Sequence, residues 1–178
     1  QLVFCSSTLD ERKVNIALAQ ALHKNGNKTD AQKIFDSFYQ SEPDDPGPLL
    51  AQVRLLRGDK LWSQLNQMVS DWCQNHPNDT RVPIVIAGDL AATEDTQAQK
   101  TAEDLLRKIL DRDPNSLPAM NTLALLLQIT GRSEESARFY RQVLTLESDN
   151  VKAINNLAWI LCEEQGKHQQ AFDLAQRG

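Results

Sequence analysis

A register of about 34 residues recurs along the chain, and it limits the fold more than any single side chain does. At a common phase, segments starting near Arg12, Pro46, Leu117 and Val151 place Leu18, Gln52, Leu123 and Leu157 at one site, and Ala19, Val53, Ala124 and Ala158 at the next. A further segment from about Thr80 joins them with an interruption. A repeat of this size cannot bury its own apolar face, so the period predicts an array of small two-helix units stacked on their neighbours.

The apolar spacing within each repeat supports helix pairs. From Arg12 to Lys24, Ile16, Leu18, Ala19 and Leu22 fall at helical intervals, Asn25, Gly26 and Asn27 supply a turn, and Thr29 or Asp30 is placed to cap a second helix carrying Ala31, Ile34, Phe35 and Phe38 before Pro43. The pattern resumes with Leu49, Val53 and Leu56, breaks at Arg57, Gly58 and Asp59, and continues through Leu61, Leu65, Met68, Val69 and Trp72 to His76 and Pro77. Met68 and Trp72 lie on this stripe, which marks them as packing residues.

The third repeat needs a choice of phase. Starting it at Pro83 keeps the spacing but puts Asp89 on the packed face, where an unpaired carboxylate costs several kcal/mol. Starting it at Thr80 puts Ile86, Ala87 and Leu90 there, and leaves extra residues to bulge from a turn between Thr93 and Gln99 before Ala102, Leu105, Leu106 and Ile109. The fourth repeat is the most regular, with Met120, Leu123, Ala124 and Leu127, then Gly131, then Ala137, Tyr140, Val143 and Leu144. In the last, Ile154, Leu157, Ala158 and Leu161 precede a longer turn from Glu163 to Gln170, and Ala171, Phe172, Leu174 and Ala175 begin a helix that is cut short. The units are 12–45, 46–79, 80–116, 117–150 and 151–178, a single array over 1–178 that reads as a fragment of a longer protein.

Composition narrows the functional classes. The 178 residues are 40% hydrophobic, and 24 acidic against 19 basic residues give a net charge of −5 distributed along the chain, which disfavours a general nucleic-acid surface. Cys5, Cys73 and Cys162 are too scattered for a disulfide framework or a thiolate metal site. No stretch reads as a transmembrane segment, and Gln1 to Cys5 lacks the basic start of a signal peptide, so targeting segments are expected outside the chain.

Catalytic chemistry finds no constellation. His23, His76 and His168 fall in different repeats near turns or helix ends, Glu134–Glu135 and Glu163–Glu164 are adjacent surface carboxylates, no phosphate-cradling glycine loop is present, and Cys162 has no evident histidine partner. No enzyme, metal or cofactor is expected.

The arrangement resembles the tetratricopeptide repeat family over almost the whole chain. Ala19, Ala124 and Ala158 match one of its small-residue sites, Ala31, Ala102 and Ala171 match a second, and Pro43, Pro77 and Pro114 match its frequent terminal proline. Small residues matter there because helices cannot approach closely around bulky ones. Val53 and Leu65 depart from the small sites and Gln52 from an apolar one, which predicts wider helix spacing in the second repeat.

The resemblance implies an all-α, right-handed superhelical array of antiparallel helix pairs, whose first helices line a concave groove for an extended peptide or a partner helix. Carried over residue by residue, the groove positions are Lys13, Ile16 and Gln20; Leu50, Arg54 and Arg57; Arg81, Ile84 and Val85; Asn121, Leu125 and Gln128; and Lys152, Asn155, Asn156 and Trp159. Side-chain amides suit a peptide backbone, Trp159 supplies an apolar anchor or covers the terminal unit, and Asn155 and Asn156 either bind or brace neighbouring helices. The clamp by which one subtype grips chaperone carboxylates is not reproduced, since Ile16, Gln20, Ala51, Arg81 and Val85 stand at its sites. The favoured function is therefore a non-catalytic protein- or peptide-binding scaffold. The alternative is a structural oligomerisation module packing through its convex face or terminal repeat.

Overall fold

The computed structural model describes residues 9–176 apart from 165. Among them the chain forms ten α-helices: α1 (Leu9–Lys24), α2 (Lys28–Ser41), α3 (Pro46–Gly58), α4 (Trp62–Asn75), α5 (Arg81–Ala91), α6 (Thr96–Arg112), α7 (Leu117–Ile129), α8 (Ser133–Leu146), α9 (Val151–Trp159) and α10 (His168–Ala175), with a π-helical turn at Ile160–Glu164. Consecutive helices pack as antiparallel pairs, α1 on α2 through to α9 on α10, in a repeating all-α pattern. The chain divides into two compact units, Gln1–Asp79 and Thr80–Gly178.

In the first unit Ile34, Phe35 and Phe38 of α2 pack against Ala19 of α1 and against Ala51 and Leu55 of α3. Each large side chain removed from water contributes about 1.5–3 kcal/mol, and the alanines on the facing helices let it seat. Leu18 shares a register site with the buried Leu123 and Leu157, yet it is 44% exposed, because α2 and α3 leave it uncovered. Gln52 is buried at its apolar register site without orphaned groups: its Nε2 donates to Gln32 Oε1 at 2.7 Å and its Oε1 accepts from Tyr39 Oη at 2.9 Å. Trp72 is buried and stacks on the His76 ring, with centroids 3.9 Å apart, as a packing residue.

Local chemistry sets the helix ends. Asn27, rather than Thr29 or Asp30, caps α2, its side chain accepting from Asp30 N at 3.3 Å. Asp45 caps α3 by accepting from Gly47 N at 3.0 Å, with Pro46 in the first turn, where its missing N–H costs nothing. Three turns between first and second helices share one closure, in which Asn27 N, Leu61 N and Arg132 N donate to Leu22 O, Leu56 O and Leu127 O at 2.9, 2.9 and 2.7 Å. The central residue of each has positive φ: Gly26 at 86°, Gly131 at 77°, and Lys60 at 58°.

In the second unit Ile86, Ala87 and Leu90 of α5 are buried and Asp89 is half-buried, the burial that follows from starting that repeat at Thr80. The bulging turn expected between Thr93 and Gln99 is shorter than that. Asp95 caps α6, accepting from Gln97 N and Ala98 N at 2.9 and 3.0 Å, so the extra residues extend the helix and bury Ala98. Likewise the long turn expected from Glu163 to Gln170 opens as the π-helical turn, and α10 begins at His168. Only Ala171 of α10 is buried, whereas Phe172 is 58% exposed.

Tyr140 lies at the centre of this unit, fully buried with Met120 and Ala124 of α7, Ala137 and Val143 of α8, and Ala153 and Leu157 of α9. Ala158 packs at the margin of the same cluster, only partly buried. A ring of alternating charges joins α6 to α8: Arg107 bonds Glu103 and Glu135 at 2.8 and 2.5 Å, and Arg132 bonds the same two carboxylates at 2.7 and 2.5 Å. Glu135, on sequence grounds a surface carboxylate adjacent to Glu134, is thus part of a four-membered network.

Candidate functional site

Helix α7 is covered over most of its circumference, so a narrow strip carries whatever it presents. On α7, Ala119, Met120, Leu123, Ala124, Leu126 and Leu127 are buried. Among the residues left over, Asn121, Leu125 and Gln128 share one helical face at steps of four and three. Leu125 is 46% exposed between the two amides. On α9, Ala153, Ile154 and Leu157 point inward, Lys152 and Asn155 are exposed, Asn156 is half-buried, and Trp159 is 49% exposed. On α5, Arg81 and Val85 are exposed and Ile84 is half-buried.

These three strips belong to one unit. Helix α5 packs beside α7, and α7 and α9 share the core around Tyr140. In the first unit α1 packs on α3. There Lys13 and Arg54 are exposed, while Ile16, Gln20, Leu50 and Arg57 are half-buried, with Ile16 also touching the core. The sequence left out Ile129, an exposed apolar side chain four residues after Leu125; that spacing was the signal for it.

The amides of the second unit differ in their bonding. Asn156 Nδ2 donates to Tyr140 Oη at 2.9 Å, a brace between α9 and α8. Asn121 Oδ1 and Gln128 Oε1 are buried with no donor among the described residues. An unsatisfied buried acceptor costs about 1–3 kcal/mol, so two on one face of one helix form a local deficit.

Tertiary structure also brings Cys162 Sγ within 3.3 Å of His168 Nδ1, a pairing hidden in the sequence because a loop folds α10 back beside the π-helical turn. Burial, then the hydrogen bond and charge of Glu163, push the Cys162 thiol up, away from the reactive thiolate. Cys73, like Cys162, is in no disulfide among the described residues, and Cys5 lies outside them. His76 contacts Asp44 Oδ1 at 2.9 Å and His23 contacts Asp59 Oδ2 at 2.9 Å, each in its own local hydrogen bond. Among the described residues no group of three or more His, Cys, Asp or Glu is placed to hold a metal ion, and no helix is long and apolar enough to cross a membrane.

Comparison with known proteins agrees with this architecture. Residues 119–146, which span α7 and α8, match the model of the tetratricopeptide repeat family. No curated protein matches the chain. Among solved structures it is similar to MamA, residues 41 to the end, from Desulfovibrio magneticus RS-1, with 16% identity, a TM-score of 0.58, and 96% of this chain and 94% of that one covered. A thermophilic TPR protein from Thermus thermophilus aligns with 18% identity, a TM-score of 0.54, and 92% and 87% coverage. At such identities the likeness is one of fold: a tetratricopeptide-like array of helix pairs.

Proposed function

We propose that this chain is a non-catalytic scaffold that binds an extended peptide or protein segment along the face of its first helices, with α5, α7 and α9 forming the principal platform. The observation that carries this reading is the strip on α7, where half-exposed Leu125 sits between Asn121 and Gln128, whose side-chain oxygens lack donors among the described residues. Peptide backbone supplies N–H groups at regular intervals, and the broad terminal torsions of Asn and Gln let each oxygen turn to meet one. Trp159 and Val85 add apolar surface on the neighbouring helices, where aromatic anchors contribute most to affinity.

The test is selection of random displayed peptides on the chain, followed by titration of the selected sequences against Leu125→Ala and Trp159→Ala. Each substitution is expected to weaken binding about tenfold, or 1.4 kcal/mol, with the helical melting transition retained. Undiminished affinity in both variants would rule out this face. A lost melting transition in Trp159→Ala would make that side chain a packing residue.

The oligomerisation reading draws on Phe172, exposed on α10, as a seat for a second copy. Sedimentation of Phe172→Glu beside the parent chain separates the two: a dimer abolished by this change supports it, and a monomer in both dismisses it.

A further inference from the structure

Tyr39, Gln52, Gln32 and Asp36 form one directed chain of hydrogen bonds. Tyr39 Oη donates to Gln52 Oε1 at 2.9 Å, Gln52 Nε2 donates to Gln32 Oε1 at 2.7 Å, and Gln32 Nε2 donates to Asp36 Oδ1 at 2.8 Å. Gln32, Asp36 and Tyr39 share one face of α2 at steps of four and three, and Gln52 comes from α3. Donors that all point one way strengthen one another, and the chain ends on a carboxylate, which accepts more strongly than a neutral oxygen. Gln52 is 6% exposed, so its amide depends on α2 for both bonds.

The equivalent places in the second unit lack this pairing. With Ala31, Ala102 and Ser136 set at one register, Gln32 aligns with Glu103 and Ala137, and Tyr39 with Leu110 and Leu144. Gln52 follows Tyr39 by 13 residues, and at the same interval Leu110 and Leu144 are followed by Leu123 and Leu157, both buried. The junction of α2 with α3 therefore carries a polar pair where the junctions of α6 with α7 and of α8 with α9 carry leucines. Glu103, at the Gln32 place, is already held by Arg107 and Arg132.

Faces built to one register can exchange partners, and repeat proteins misassemble in this way. Against α6 or α8, the Gln52 Oε1 would face Leu110 or Leu144 and lose its donor. Against α7 or α9, the Tyr39 hydroxyl would face leucine. A polar group taken out of water and left without a partner bears its full desolvation penalty. We infer that Tyr39 and Gln52 are an address for stacking: they admit α3 to α2 and reject the like-registered faces of the second unit, in the same chain or in a second copy. Leucines at both places would hold the two helices together without discriminating. Buried polar residues fix register in other helical assemblies on the same terms, at a cost in stability.

Refolding of the full chain from denaturant tests the address, with Tyr39→Phe alone and combined with Gln52→Leu. Tyr39→Phe leaves Gln52 Oε1 without its donor and should lower the melting midpoint by about 2–4 °C. Adding Gln52→Leu should bring the midpoint back to that of the parent or above, because apolar groups then face each other. The refolded double variant should nevertheless hold a larger share of misassembled chain than the parent at equal concentration, read as dimer in sedimentation or as a second set of amide resonances. A double variant with no larger share than the parent overturns the inference. So does a double variant that melts no higher than Tyr39→Phe, since the pair would then only hold the helices together. A Tyr39→Phe chain that melts with the parent overturns it as well, because Gln52 would not depend on the phenol.

Discussion

Asn156 Nδ2 donates to the phenol oxygen of Tyr140 at 2.9 Å, fastening α9 to α8 through a side chain that the family resemblance assigns to the presenting face. Burial pushes the Tyr140 phenol up to about 12, while hydrogen bonds involving Asn156 and Ser136 work against that rise. Asn156 thus satisfies a hydroxyl at the centre of the second core, and its neighbour Asn155 is exposed.

Asn156→Ala is expected to destabilise the chain by about 1–2 kcal/mol, the range for a buried group that loses its partner. Asn155→Ala should stay within about 0.5 kcal/mol, as surface changes usually do. Denaturant unfolding measures both. Equal effects at the two positions would contradict the brace.

The charge ring makes stability depend on pH with a definite sign. Burial raises the Glu103 carboxyl, but hydrogen bonds and charge from Arg132 and Arg107 outweigh it and hold the group below its ordinary value of 4.5. The Arg107 hydrogen bond leads in lowering Glu135 below the same value. Groups depressed in the folded state add stability that is fully present above their unfolded pKa and is lost as pH falls through the folded one. Glu103→Gln should therefore cost about 0.5–1 kcal/mol near neutral pH, with the gap to the parent closing once the pH drops below 4.5. Thermal unfolding across that range checks it, and a gap that widens with acid would be the wrong sign.

Lys60 occupies the left-handed position that Gly26 and Gly131 fill in the equivalent turns. A side chain there costs roughly 1–2 kcal/mol relative to its right-handed conformation, a cost that glycine avoids. Replacing Lys60 with Gly should raise the melting temperature, with a net gain of about 1 kcal/mol after the greater unfolded-state freedom of glycine is counted. Gly131→Ala should lower it by a similar amount. A drop in melting temperature for Lys60→Gly would mean that the lysine's contacts outweigh the strain.

Much of this architecture was legible in the sequence because it rests on local rules. The stripe Met120, Leu123, Ala124, Leu127 needs only helical periodicity to be placed inward, and Asp89 needs only the cost of burying a carboxylate to fix the phase of the third repeat. The strip Asn121, Leu125, Gln128 follows as the complement of the buried stripe. Capping was less legible: Asn27, Thr29 and Asp30 are all competent, and backbone geometry selects among them. The extra residues of the third repeat lengthen α6 because Asp95 caps it early and Ala98 finds a buried seat, a gain that spacing alone does not reveal.

The sequence by itself determined the period, the helix pairs and the buried stripe of α7, since these depend on intervals of three and four residues and on glycine in the turns. Only the tertiary structure decided which polar groups are spoken for. Asn156 meets Tyr140, Gln52 meets Tyr39 and Gln32, Glu135 meets two arginines, and Cys162 meets His168, while Asn121 and Gln128 keep buried oxygens without donors among the described residues. Hydrogen bonds form between atoms within a few ångströms, and the helices that bring those atoms together are set by the packing of whole pairs, which no local interval encodes.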